Sequence, residues 1–386
     1  MTDRRAALVY ALLFYTAMLE TAIAALIPTY VTKFGISKVE VGILLASTNV
    51  AVLVLSVPIG LLADRVGAGL LTFGAAALDA VAALGQGLAP TFPLLCASWA
   101  LFGVGVAAVV TAGLGWLSQG DVAARRARLL SGSTTISGAG LIAGPLFGGF
   151  VVSRLGLGAP FVVAAISAAV LSVLLAASLD GVQRGRDRQS LRDAYRVYRT
   201  DRKLLAGIAL ALLLAVSSST INVLIPLRLH ANGVSASAIG LLFSVAACLF
   251  VVVSGLVTRR GQQAARLGVA AAATLLIAGA FSIPIATLTT LGIIGFVILR
   301  APLWAVASTI TYPLSADGAH RVGLSHSANF GLINLAWGIP AVIVPPLAGV
   351  MAQTIGERWA YAAALAYTCL TGCWLYRAHR AESAAP

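Results

Sequence analysis

Long apolar runs separated by short polar gaps fill this chain. The runs are continuous rather than alternating, so they read as helices and not as the strands of a membrane barrel. A helix needs about 20 residues to cross a bilayer. On that measure the pattern predicts spans at 6–32, 39–63, 69–88, 92–115, 132–153, 159–179, 204–228, 236–257, 266–286, 288–312, 327–352 and 358–376. The first run follows Arg4 and Arg5. It is too long for the apolar part of a signal peptide and lacks a clear A-x-A site, so it is expected to remain as a helix.

Composition agrees with that pattern. Of 386 residues, 59% are apolar and 10% charged, against about 45–50% and about 25% in soluble domains. A soluble globule cannot hide so much apolar surface, and twelve spans leave room only for short loops. These numbers argue against a soluble enzyme, a disordered chain and a large extramembrane domain.

The net charge of +13 suggests nucleic acid until the positions are considered. With the N-terminus inside and loops alternating, 20 of the 26 basic residues fall on the inner side and five on the outer side. Arg300 lies mid-span. That bias is the positive-inside pattern of a multi-pass protein, with both termini cytoplasmic. The cell's inner (plasma) membrane is the expected location, a monomer the expected state, and no nucleic-acid partner is expected.

The longest polar stretch, 180–203, carries eight basic and four acidic residues. Leu191, Ala194, Tyr195 and Tyr198 recur there at helical spacing. The stretch reads as a cytoplasmic linker with an amphipathic helix on anionic lipid, or equally as a solvated tether. It separates two six-helix segments, 1–179 and 204–386. Those segments repeat one another. Leu26-Ile27-Pro28 recurs as Leu224-Ile225-Pro226 and Val41-Gly42-Ile43-Leu44-Leu45 as Ile239-Gly240-Leu241-Leu242-Phe243, both at an offset of 198. Gly60-Leu61 recurs as Gly255-Leu256, and Pro145-Leu146-Phe147-Gly148 as Pro346-Leu347-Ala348-Gly349, at offsets of 195 and 201. The expected fold is all-α integral membrane, two pseudo-symmetric six-helix bundles, suited to rocking one bundle against the other.

Candidate chemistry is sparse. Cys96, Cys248, Cys369 and Cys373 lie in apolar runs, and His230, His320, His326 and His379 fall near loops. They form no metal or catalytic set, so no metal and no cofactor are expected. The G-x-x-x-x-G-K-[ST] nucleotide motif is absent. Glu20 is an acid within span one, and an isolated carboxyl among apolar residues can gain and lose a proton near neutral pH, because desolvation disfavours its charged form. Asp79 is centred on span three. Arg300, with Trp304 one turn on, is costly in mid-membrane unless something answers its charge. Asn222, Asn334 and Trp337 are further candidate cavity groups.

Three motifs add a family resemblance over essentially the whole chain. Gly60-Leu61-Leu62-Ala63-Asp64-Arg65-Val66-Gly67 resembles the G-x-x-x-D-R-x-G signature of the major facilitator superfamily. Gly60, Asp64, Arg65 and Gly67 then form a cytoplasmic gate motif: Gly60 for close helix approach, Asp64 for a helix N-terminus in the other half. The family's usual basic pair is replaced by Ala68-Gly69. The second-half copy, Gly255 to Gly261, keeps basic residues and lacks the acid. Gly140, Gly144, Pro145, Gly148 and Gly149 resemble the G-x-x-x-G-P-x-x-G-G motif of that superfamily's exporters, with the glycines on one face and Pro145 bending the helix. Leu19-Glu20-Thr21 through Pro28 is similar to the acidic first-helix motif of multidrug exporters. In span four Trp99 stands where the antiporters carry an arginine, and could offer an aromatic face to a cationic or flat substrate.

The resemblance implies the major facilitator fold with spans 1, 4, 7 and 10 around a cavity, so that Glu20 and Arg300 face one another. It implies a non-enzymatic secondary transporter most like the drug/proton antiporters. Its expected action is proton-coupled efflux of a small cationic or neutral, drug-like molecule, with Glu20 exchanging the proton. Two rivals stand beside it: a proton-coupled importer of an organic anion or sugar-like solute, and a non-transporting membrane sensor or scaffold.

Overall fold

The computed structural model describes residues 3–118, 123–179, 201–260, 265–322 and 326–383. Among these residues twelve long helices follow one another: α1 Asp3–Phe34, α2 Lys38–Val66, α3 Ala68–Leu88, α4 Phe92–Ala108, α5 Ala123–Leu146, α6 Gly158–Ala176, α7 Arg202–Ala231, α8 Ala236–Arg259, α9 Leu267–Ala286, α10 Thr290–Arg321, α11 His326–Thr354 and α12 Glu357–Ser383. α4 continues through a π turn, Val109–Gly113, into Leu114–Ser118, and α5 through Phe147–Val151 into Val152–Leu155. Eleven of the twelve are long and apolar enough to cross a membrane. The exception is α12, whose tyrosines, tryptophans and threonines dilute its alanines and leucines. The expected spans and these helices coincide in order and number. α5 and α10 extend beyond theirs in polar turns, because a helix does not have to stop where the apolar run does. The expected amphipathic linker helix lies almost wholly outside the described residues.

Local chemistry sets the helix starts. Ser37 caps α2 with a capping box: its Oγ accepts from Glu40 N at 3.3 Å, and Glu40 Oε2 accepts from Ser37 N at 2.7 Å. Asp201 caps α7, Oδ1 accepting from Lys203 N at 2.8 Å and Leu204 N at 3.1 Å. Thr289 Oγ1 accepts from Gly292 N at 3.3 Å to start α10. Gly67 turns α2 into α3 at φ 99°, a conformation that favours glycine.

The described residues form two compact units. The first holds α1–α6 together with Val234–Ser244, the start of α8. Here α1 packs mainly on α5, α3 on α6, and α4 on both α2 and α3. Tyr30 donates to Gln86 O at 3.1 Å and Lys33 Nζ to Ala89 O at 3.0 Å, tying α1 to the end of α3.

The second unit repeats the pattern with other residues. α7 packs on α11, α9 on α12 and α9 on α10, as α1, α3 and α3 do on α5, α6 and α4. This unit also pairs α7 with α10. Charges tie the ends of its helices. Lys203 Nζ stands 2.7 Å from Asp317 Oδ2 and Arg321 3.7 Å from Asp201 Oδ2. Arg228 Nε donates to Glu357 Oε2 at 2.7 Å.

Candidate functional site

In the first unit the candidate groups lie on α1, α2, α4 and α5. Leu19, Ala22 and Ile23 are buried, whereas Glu20 between them is exposed. Its side chain therefore points off the packed face of α1. Among the described residues it has no hydrogen bond and no ion pair. The neighbouring hydroxyls are spent on their own helix: Thr16 donates to Leu12 O at 2.8 Å and Thr21 to Ala17 O at 2.8 Å. No group of the described residues therefore answers the Glu20 carboxyl.

Gly140, Gly144 and Gly148 form the contact of α5 with α1. A methyl on Gly140 would stand 2.6 Å from Phe14 O, and one on Gly148 2.6 Å from Ala22 O. At Gly144 it would run into Met18 O and the Thr21 hydroxyl. Gly149 meets Ala236 O and Gly240 at the start of α8, where Gly240 in turn rests on Pro145 O. Ser244 Oγ donates to Ile142 O at 2.8 Å and Ser237 Oγ to Gly149 O at 2.9 Å along the same seam. The glycine face is thus a tight seal on two sides. The helix turns irregular directly after Pro145, at the π turn that holds Gly148 and Gly149.

Two of these residues stand out. A methyl at Gly60 would find nothing within 4 Å among the described residues. Arg65 beyond it is exposed, and the Asp64 side chain lies outside the described residues. Trp99 is 1% exposed and packs edge-on against Phe102 at 5.7 Å, with its backbone carbonyl accepting from Thr48 Oγ1 at 3.1 Å. Its ring is core packing between α4 and α2, drawn in by the close approach at Gly103. It offers no face to a substrate.

In the second unit the structure brings several candidates together. The Arg300 guanidinium lies 5.3 Å from the Trp304 ring centre, one turn on along α10, and Nε donates to Ser217 Oγ on α7 at 3.4 Å. The Trp304 ring is held between Phe250 of α8 at 5.0 Å and Trp337 of α11 at 6.1 Å. Within this unit Arg300 has no ion pair among the described residues. A long hydrogen bond to a hydroxyl and an aromatic face answer its charge only in part. The arrangement is a half-buried cation on an aromatic wall. Asn222 is half-buried on α7 and Asn334 exposed on α11, and neither forms a side-chain hydrogen bond in the described residues.

Ser217 and Phe250 were not singled out from the sequence. The small polar run Ser217-Ser218-Ser219-Thr220 inside an apolar helix was the available signal for the first. Nothing in the sequence distinguishes Phe250 from other apolar residues.

A family model described as the Major Facilitator Superfamily matches residues 9–339. Two solved structures have the same fold, both of a bacterial homolog to the human lysosomal transporter Spinster. The inward-facing and unoccupied conformation has a TM-score of 0.74 and 16% identity, over 98% of each chain. The inward-facing and occupied conformation has a TM-score of 0.76 and 15% identity, over 97% of this chain and 96% of that one. At such identities the likeness extends to the fold alone. No curated protein matches the sequence.

Proposed function

The chain belongs to the major facilitator superfamily of membrane transporters, and from that premise we propose that it is a secondary active transporter working by alternating access. Its action in this reading is proton-coupled efflux of a small cationic or neutral, drug-like molecule. It resides in the cell's inner membrane as a monomer with both termini cytoplasmic, a topology supported by the inward bias of its basic residues.

The observation that carries the reading is the state of Glu20. It is exposed and, among the described residues, without a partner on an otherwise packed stretch of α1. A coupling carboxyl has to give up its proton and take it back, which requires access. The sealed glycine face of α5, whose motif resembles that of exporters, supports efflux. A second reading, transport of an organic anion held at Arg300, is favoured by the lack of any ion pair to Arg300 among the described residues of its own unit.

The test is transport into proteoliposomes under an imposed pH gradient. Glu20→Gln should abolish pH-driven accumulation while counterflow of the same compound persists, because exchange needs no net proton movement. A variant that couples to the gradient as well as wild type would remove Glu20 as the proton site. Absence of counterflow for every compound tried would turn the reading toward a sensor or scaffold.

A further inference from the structure

Asp79 sits near the centre of α3, and the proposed transport reading does not use it. Its exposure is 0%, and neither carboxylate oxygen has a hydrogen-bond partner among the described residues. No other charged side chain occurs in α3. α6, which packs most closely on α3, carries no titratable residue, and α4 carries only Cys96. The charged residues of α2 stand at its two ends. On α1 the Tyr15 hydroxyl is likewise buried, with no hydrogen-bond partner among the described residues.

The surroundings are cut to admit the side chain. Gly105 on α4 lies directly against the carboxyl, and a methyl there would collide with Oδ1. One heptad on, about 10.5 Å along the helix, Gln86 is 1% exposed and its side-chain amide is also without a partner. The interior of this unit thus contains several polar groups without partners among the described residues, Tyr15, Asp79 and Gln86 among them.

The fold does not require an acid at this place. The repeat offsets of 195–201 map Asp79 onto residues 274–280 of α9, which include no titratable residue. At the commonest offset the counterpart is Ile277, also 0% exposed. The same architecture is therefore completed elsewhere by an apolar side chain.

An ionised carboxylate with no counter-charge and no donor from the protein is among the least tolerable groups inside a membrane protein. A proton on one oxygen removes the charge. We propose that Asp79 is a proton-binding site in the interior of the first unit, filled in this packing and emptied only when α3 parts from α4 and α6. Filling forms an O–H bond between a carboxylate oxygen and a proton taken from water, and emptying returns that proton to water. The site is separate from Glu20, which is exposed, and it stands whatever the cargo or direction of transport.

Infrared difference spectroscopy of the purified full chain tests this. At neutral pH wild type should show a carboxylic-acid carbonyl band that persists in Glu20→Gln and is lost in Asp79→Asn. Asparagine keeps the shape of the neutral acid, so this variant should fold. Isotope-labelled aspartate in wild type gives a readout without mutation: the band should move with labelled aspartate and stay put with labelled glutamate, because Asp79 is the one aspartate centred in a span. A spectrum without the band at neutral pH would overturn the proposal. So would a band that follows labelled glutamate, or one unchanged in folded Asp79→Asn.

Discussion

Arg228 and Glu357 meet across 129 residues of sequence, Nε to Oε2 at 2.7 Å, with the Glu357 side chain 4% exposed and that of Arg228 26% exposed. The pair joins the last turn of α7 to the first turn of α12. Each charge also sits at the helix end that favours it, a cation at a C-terminus and an anion at an N-terminus. Sealing this corner of the second unit depends on both charges being present.

Removal of Glu357 takes away the ion-pair partner that Arg228 has among the described residues. Glu357→Gln should destabilise the purified protein by about 3 kcal/mol, the low end of the range for broken buried pairs because Arg228 keeps some exposure. The double variant Arg228→Met with Glu357→Leu should recover most of that loss, since the desolvation cost goes with the charges. Chemical or thermal denaturation of wild type, Arg228→Met, Glu357→Leu and the double variant closes one double-mutant cycle, with Glu357→Gln measured beside it. Equal loss in the single and double variants would mean that packing at this corner, and not charge, holds α7 to α12.

Two glycines of the family-like motifs should behave oppositely. Gly144→Ala places a methyl against Met18 O and the Thr21 hydroxyl, and α5 has to move away from α1 at a cost of about 1–3 kcal/mol or more. Gly60→Ala meets nothing within 4 Å, and the helix gains about 0.5–1 kcal/mol from the loss of glycine. Melting midpoints in one detergent should therefore fall for the first and hold or rise for the second. If Gly60→Ala impairs transport without lowering stability, the close approach at this glycine belongs to another step of the transport cycle.

Arg300 separates the two substrate readings. Under the efflux reading, Arg300→Gln leaves the affinity for cationic compounds within about twofold. Under the anion reading, affinity for anionic compounds falls at least about tenfold, equivalent to about 1.4 kcal/mol. Lysine should restore little of it, because a compact ammonium does not reproduce a planar guanidinium lying on Trp304. Ligand-induced stabilisation of wild type, Arg300→Gln and Arg300→Lys, with matched cationic, neutral and anionic compounds, gives all the comparisons.

The amino-acid order alone determined the helices, their number and the two-fold repeat. The reason is local: lipid cannot satisfy a backbone, so an apolar run of sufficient length has to become a helix whatever surrounds it. The glycine face of α5 was legible for a similar reason, since residues four apart share a face and a row of glycines has little use besides close packing. Side-chain surroundings were another matter. A helix that is apolar on every side does not record which side faces lipid and which faces protein. Trp99 and Glu20, both read as candidate cavity residues, consequently parted company: packing turned one ring into the core and left the other side chain exposed. In the same way only tertiary structure set Ser217 beneath Arg300, matched Arg228 with Glu357, and enclosed Asp79 without a partner. Each outcome depends on the depth and rotation of two helices far apart in sequence, and those are decided by how whole surfaces fit.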